Sequence, residues 1–146
     1  MLEIGELTGL QKCRIMDLPK IPDDRGNLSF MESGRPVPFV IQRAYWIYDV
    51  PGGATRGGHA YKTLHEFFVA LSGSFDVVLD DGRTRKVVSL NRSYFGLYVP
   101  KMIWRHLENF STNAVCMILA SASYSEDDYF RDYKQFIEHI TKGRQT

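Results

Sequence analysis

The sequence predicts an all-β domain, a barrel closed by one C-terminal α-helix. Short strand-like runs recur along most of the chain with turn signals between them. Asp80-Asp81-Gly82 separates two of these runs, and Asp-Gly supplies the positive φ that a tight hairpin demands. In the tail the apolar spacing changes to that of a helix. In chain order the predicted strands begin with Gln11–Asp17, Leu28–Glu32 and the aromatic-rich Arg43–Tyr48. The apolar run His65–Leu71 follows; Gly73 turns it into Ser74–Leu79, and the Asp-Gly turn leads on to Thr84–Ser89. Tyr94–Tyr98, Ile103–Glu108 and Ala114–Ala120 complete the set. Ser125, with Glu126, Asp127 and Asp128 behind it, reads as an N-cap and an acidic first turn. Beyond it Tyr129, Phe130, Tyr133, Phe136, Ile137 and Ile140 recur at helical spacing, so an amphipathic helix is expected to cover one face of the barrel.

The 146 residues fit one domain, residues 1–146, long enough to bury a real core. Hydrophobic residues at 44% and charged residues at 24% are ordinary for a soluble globular chain. The net charge of +1 argues against a nucleic-acid surface, which needs a strongly basic face. An anionic small molecule stays open, because a local group of arginines is compatible with a neutral total. Cys13 and Cys116 make no metal or redox spacing and suit a reducing cytosol. The start Met-Leu-Glu-Ile-Gly-Glu lacks the basic and long apolar regions of a signal peptide, and no run approaches the ~20 apolar residues of a membrane helix. A cytoplasmic protein without a membrane partner is expected.

One stretch carries chemistry. Gly53-x5-His59-x-Tyr61-x4-Glu66-x6-Gly73 keeps the spacing of the first cupin motif, with tyrosine in the place of the second histidine. The second motif lies before Asn109: Pro100 and Asn109 hold their positions, while Met102 takes a glycine slot and Arg105 the third histidine slot. A guanidinium is always protonated and offers a cation no lone pair. Two of four metal ligands are therefore missing, one of them replaced by a fixed positive charge. The pattern reads as a cupin, or jelly-roll, barrel whose pocket serves something other than a metal.

The chain resembles the WxcM-like nucleotide-sugar ketoisomerases of the cupin fold, which convert dTDP-4-keto-6-deoxy-D-glucose to its 3-keto isomer. The resemblance rests on Asp24-Arg25-Gly26, Arg43 through Asp49, Arg56 through Lys62 with His59 and Tyr61, and Leu71-Ser-Gly73 with the turn to Gly82. Gly96 through Val99 with Trp104, and Leu119 through Tyr124 with Asp128, Arg131 and Phe136, extend it over almost the whole chain. It implies a jelly-roll homodimer that needs no metal or other cofactor, with a dTDP-linked keto-sugar as substrate. By position His59 takes the role of the acid/base histidine. Two places depart from the family: Tyr61 stands where a second histidine is common, and the family varies at Arg25 and Arg105, which the resemblance places near the sugar. The product is then of either galacto or gluco configuration at C4.

Read as chemistry, these residues suit that reaction. Moving a ketone from C4 to C3 takes a proton from C3 and returns one to C4 through an enediol. Imidazole, with an unperturbed pKa near neutrality, can both accept and donate. The cupin spacing turns His59 into the barrel mouth, with Tyr61 on the same face by strand alternation. Tyr61 is a second proton carrier, an oxyanion donor or a wall of the pocket, and the sequence does not choose. Arg25, Arg43, Arg56 and Arg105 are candidate ligands for a pyrophosphate or the enediolate, since the planar fork matches paired oxygens. Of the aromatic residues Tyr45, Trp46, Tyr98 and Trp104, Tyr45 and Tyr98 are the candidate pocket residues because a buried hydroxyl wants a partner. Glu66 is expected to pair with an arginine, and His106 to point away from Arg105. His139 reads as a surface residue.

Two other readings compete. A metal-dependent cupin oxygenase would recruit His59, Glu66 and His106, but adjacent Arg105 and His106 cannot both face inward. A sugar-binding module could keep the pocket and lose the chemistry. Epimerisation would use a similar base with a different motif set. A homodimer paired through strand edges would also protect those edges from aggregation.

Overall fold

The computed structural model describes residues 9–144, so the leaderless reading of residues 1–6 lies outside it. A 3-10 turn, Gly9–Lys12, leads into fourteen strands. They are β1 (Arg14–Asp17), β2 (Lys20–Ile21), β3 (Leu28–Ser29), β4 (Glu32–Ser33), β5 (Pro36–Val37), β6 (Arg43–Ile47) and β7 (Arg56–Tyr61). Then come β8 (Glu66–Ser72), β9 (Phe75–Asp80), β10 (Arg85–Leu90), β11 (Phe95–Val99), β12 (Trp104–Glu108), β13 (Val115–Ala120) and β14 (Tyr129–Phe130), followed by helix α1 (Tyr133–Arg144). Two antiparallel five-stranded sheets, in the orders β1-β11-β8-β13-β6 and β10-β9-β12-β7-β14, make a cupin jelly roll.

The core lies between the sheets. Phe68, Ala70, Leu97, Cys116 and Ile118 from the first meet Phe75, Val77, Leu79 and Leu107 from the second. On β8 the alternate residues Phe67 and Val69 point the other way, under Val37, Phe39 and Ile41. That strand is buried on both faces, which explains its unbroken apolar run. Gly96 is glycine because a Cβ there would stand 2.2 Å from the Phe67 ring. In the β9–β10 hairpin the Asp81 carboxylate accepts the Arg83 and Thr84 N–H groups, and Gly82 takes φ +90°.

Two predicted elements change. The strand expected at Gln11–Asp17 starts only at Arg14, and Leu28–Glu32 is interrupted into β3 and β4. The tail differs more. Glu126–Asp128 is a single 3-10 turn, and Tyr129 and Phe130 then pair with Tyr61 and Ala60 on β7. The helix begins about two turns later because Asp132, not Ser125, caps it: its carboxylate accepts the Gln135 N–H at 3.0 Å. Phe136, Ile137 and Ile140 do form the apolar stripe, packed on Trp104 and Phe130. Burying a side chain such as Phe136 contributes roughly 2–3 kcal/mol. The strand Arg56–Tyr61, absent from the expected set, holds the site.

Candidate active site

The site is built on an irregularity in β7. Arg105 on β12 pairs with His59, yet Leu107 pairs with Arg56, so two residues of β7 stand opposite one of β12. Gly57, at φ +76°, absorbs the extra residue as a bulge. A Cβ on it would lie 2.3 Å from Arg105 Nη1. Beyond the bulge, His59 and Tyr61 alternate onto one face and line a cavity of about 310 Å³. His59 Nε2 and the Tyr61 hydroxyl are 3.0 Å apart. Tyr61 donates in turn to the Tyr129 hydroxyl at 3.3 Å, across the β7–β14 pairing.

Behind them lies a buried ion pair. Arg105 gives Nε and Nη2 to the two oxygens of Glu66, at 2.9 and 3.0 Å, and Nη1 to the Gly57 carbonyl at 3.3 Å. Tyr45 donates to Glu66 Oε2 and receives Nη2 of Arg105 at 3.1 Å. Removing either partner of such a pair leaves an uncompensated buried charge, so Glu66 and Arg105 stand or fall together. Burial works against the Arg105 charge, but Glu66 beside it holds the guanidinium protonated above its usual value. Glu66, the cupin glutamate, is thus engaged by a cation in the protein itself.

This environment sets the protonation of His59 and Tyr61. Burial, then the charges of Arg105 and Arg131, push the His59 pKa down to about 2, so the ring is neutral at any working pH. Burial, reinforced by Glu66, drives the Tyr61 hydroxyl upward, which keeps it a neutral donor. The neutral pKa expected for the histidine is therefore corrected, because desolvation and two guanidinium groups act on it.

Six of the eight residues picked from sequence line this cavity: Arg43, Tyr45, Arg56, His59, Tyr61 and Arg105. The Arg43 guanidinium lies over the Tyr45 ring at 5.1 Å, and its buried Nε has no partner among the described residues. Arg25 is absent from the pocket of its own chain. Its side chain is 90% exposed and bound to Asp23, two residues away. Tyr98 is also elsewhere, since it points off the outer face of its sheet. It is 2.8 Å from His65 Nδ1 with the rings stacked, beside a separate cavity of about 490 Å³ that Lys12, Arg14 and Lys101 also line.

Among the lining residues not picked are three with polar side chains from the C-terminal segment: Tyr124, Tyr129 and Arg131. The expected helix hid Tyr129 and Arg131, although Asp132-x-x-Gln135 was a closer capping signal than Ser125. Arg131 lies 4.1 Å over the Tyr129 ring and is paired with Glu126. His106 points outward as expected, 3.2 Å from Glu108, so His59, Glu66 and His106 do not converge as oxygenase ligands. Trp104 packs under α1.

Residues 11–141 match the family described as FdtA: WxcM-like, C-terminal. The chain is 40% identical over 129 residues to the TDP-4-oxo-6-deoxy-alpha-D-glucose-3,4-oxoisomerase of Aneurinibacillus thermoaerophilus, covering 88% of this chain and 93% of that one. It superposes on a 3,4-ketoisomerase from Helicobacter canadensis with TM-score 0.86 and 38% identity, over 89% of this chain and 98% of that one. A histidine-to-asparagine mutant of the 3,4-ketoisomerase from Thermoanaerobacterium thermosaccharolyticum, in complex with TDP-4-keto-6-deoxyglucose, gives 0.87 and 33%, over 89% and 94%.

Proposed function

The chain belongs to the FdtA, WxcM-like C-terminal family, and from that membership and its pocket we propose that it is a sugar 3,4-ketoisomerase. The substrate is TDP-4-keto-6-deoxy-D-glucose, the sugar nucleotide held by the related mutant enzyme. One observation carries the reading: a buried, neutral His59 stands over the pocket beside a cation that Glu66 holds in place. His59 takes the C3 proton, the C3–H electrons form the C3=C4 double bond, and the C4 carbonyl oxygen becomes the enediolate. A hydroxyl proton passes between the adjacent oxygens O3 and O4, and C4 receives a proton as C3 becomes the ketone. No electrons enter or leave, so no redox cofactor is required. Arg105 is placed to stabilise the developing oxyanion without reorganising. Arg43 and Arg56, neither with an ion-pair partner among the described residues, face the pocket as ligands for the pyrophosphate.

The donor set supports metal-free chemistry. Glu66 is engaged by Arg105 and Tyr45, and the phenol of Tyr61 is held in its protonated form, which leaves His59 alone as a free donor.

The working enzyme is a homodimer in the cytoplasm. The two thiols, Cys13 and Cys116, are buried with pKa values pushed up to about 12 by desolvation, which fits a reducing compartment. Arg25 gains a role only in the dimer. Its hairpin, β2 and β3, pairs with neither large sheet and carries exposed Ile21 and Leu28, 52% and 55% accessible. Seated on a second copy, it would deliver Arg25 to the partner's pocket. Tyr98 keeps no substrate role in this reading.

The test is His59→Asn incubated with TDP-4-keto-6-deoxyglucose and followed through the ring protons by NMR. Loss of an acid–base group should cost ~10²–10⁴-fold in turnover while the nucleotide sugar still binds. Near-normal turnover would overturn the assignment.

A further inference from the structure

The Tyr61 hydroxyl stands between His59 Nε2 at 3.0 Å and the Tyr129 hydroxyl at 3.3 Å. When it donates to Tyr129 it accepts from His59, which puts the ring proton on Nε2 and the lone pair on Nδ1. The chain His59–Tyr61–Tyr129 runs from the base across two strands to a half-buried tyrosine at the pocket wall. The rings are fixed against one another. His59 and Tyr129 centroids are 5.0 Å apart, Tyr61 and Tyr129 4.7 Å, and the Arg131 guanidinium covers the far face of this cluster at 4.1 Å from Tyr129.

We propose that Tyr129 is the outer member of a proton relay through Tyr61, which lets His59 act as a base without becoming an imidazolium. As the C3–H bond breaks, Nδ1 takes the proton while Nε2 passes its own to Tyr61. Tyr61 passes its proton to Tyr129, and Tyr129 releases one to pocket water. When Nδ1 returns a proton to C4, each step reverses and Nε2 recovers its hydrogen. Every group ends as it began, and the positive charge that leaves balances the enediolate that forms. An imidazolium beside Arg105 and Arg131 is disfavoured by burial and by like charge, and the relay avoids it. In the relay the Tyr61 proton is committed to Tyr129, so the residue carries protons rather than holding the oxyanion. Tyr129 acts through Tyr61 and is a positioning residue for the proton, not a ligand of the sugar.

This inference rests on His59 as the base, and its test separates the two. Turnover is measured in mixtures of light and heavy water. With several protons in flight the wild-type rate falls along a bowed curve against deuterium fraction. Tyr129→Phe keeps the ring contacts and removes the hydroxyl. It should lower kcat about tenfold or more with KM unchanged, and should straighten the curve. Tyr61→Phe cuts the chain at its middle and should straighten it too, and decides alone if Tyr129→Phe does not fold. A straight wild-type curve, an unchanged kcat in Tyr129→Phe, or a slower variant that keeps the bowed curve each overturns the relay. Normal turnover in His59→Asn instead removes the base on which it depends.

Discussion

A neutral histidine buried beside fixed cations leaves its mark on the pH dependence of both folding and turnover. Folding shifts the His59 pKa from its ordinary 6.5 to about 2, through burial first and the two arginines next. Between those values the unfolded chain binds a proton that the folded one does not, so stability rises with pH across the window. This contribution is fully present above the unfolded pKa and is lost progressively as pH falls below it. From about pH 7.5 to about pH 5.5 the group should cost the fold about 1 kcal/mol, read by chemical denaturation at constant protein concentration. His59→Asn should flatten that slope. In the folded enzyme His59 does not titrate near 6.5, so if it is the base kcat/KM should show no acid limb there; a limb at that position would contradict the burial. Sequence spacing singled out His59, Tyr61 and Arg105 because it fixes which side chains share a strand face. It could not give the pKa, which depends on Arg131 and on desolvation by a segment expected to be helical.

At the scale of the element, the bulge in β7 aligns His59 with Arg105. Gly57 combines a left-handed φ of +76° with a carbonyl that Arg105 binds, and a Cβ there would meet Arg105 Nη1 at 2.3 Å. Arg105 cannot retreat, because Glu66 and Tyr45 hold its other nitrogens. Gly57→Ala should therefore destabilise the protein by about 2 kcal/mol or more and lower kcat together with it. Gly58→Ala is the control. Its Cβ would touch only Trp104 Cζ2 at 3.6 Å, an ordinary contact, so thermal melts and turnover should stay close to wild type. Equal losses in the two variants would mean that the bulge has no special part in the site. The same two glycines hid β7 from a reading by strand propensity, since glycine lowers it. β14 escaped for another reason: two residues, Tyr129 and Phe130, are too few to show a period of two beside the helical run that follows. The strands β8, β9 and β10 were legible within a residue because their apolar runs and the Asp-Gly turn agree with each other, although β8 lies in one sheet and the β9–β10 hairpin in the other.

At the scale of the whole molecule, the role proposed for Arg25 depends on a second copy. It is bonded to Asp23 on a hairpin apart from both large sheets, while the family resemblance sets that position near the sugar. Both statements hold if the hairpin of one protomer reaches the pocket of the other. A mixed dimer tests this directly. Arg25→Ala and His59→Asn should each be poorly active alone. Combined by unfolding and refolding, half of the dimers contain one subunit of each kind. In a mixed dimer with exchanged hairpins, one pocket collects both lesions and the other has neither. Activity should then recover to about a quarter of wild type, the share expected from random pairing of two-fold dimers. If Arg25 served its own subunit's pocket, every site would keep one lesion and mixing would restore nothing. A monomer by light scattering at micromolar concentration would remove the route altogether, and full activity of Arg25→Ala alone would show that the hairpin's arginine leaves the sugar untouched.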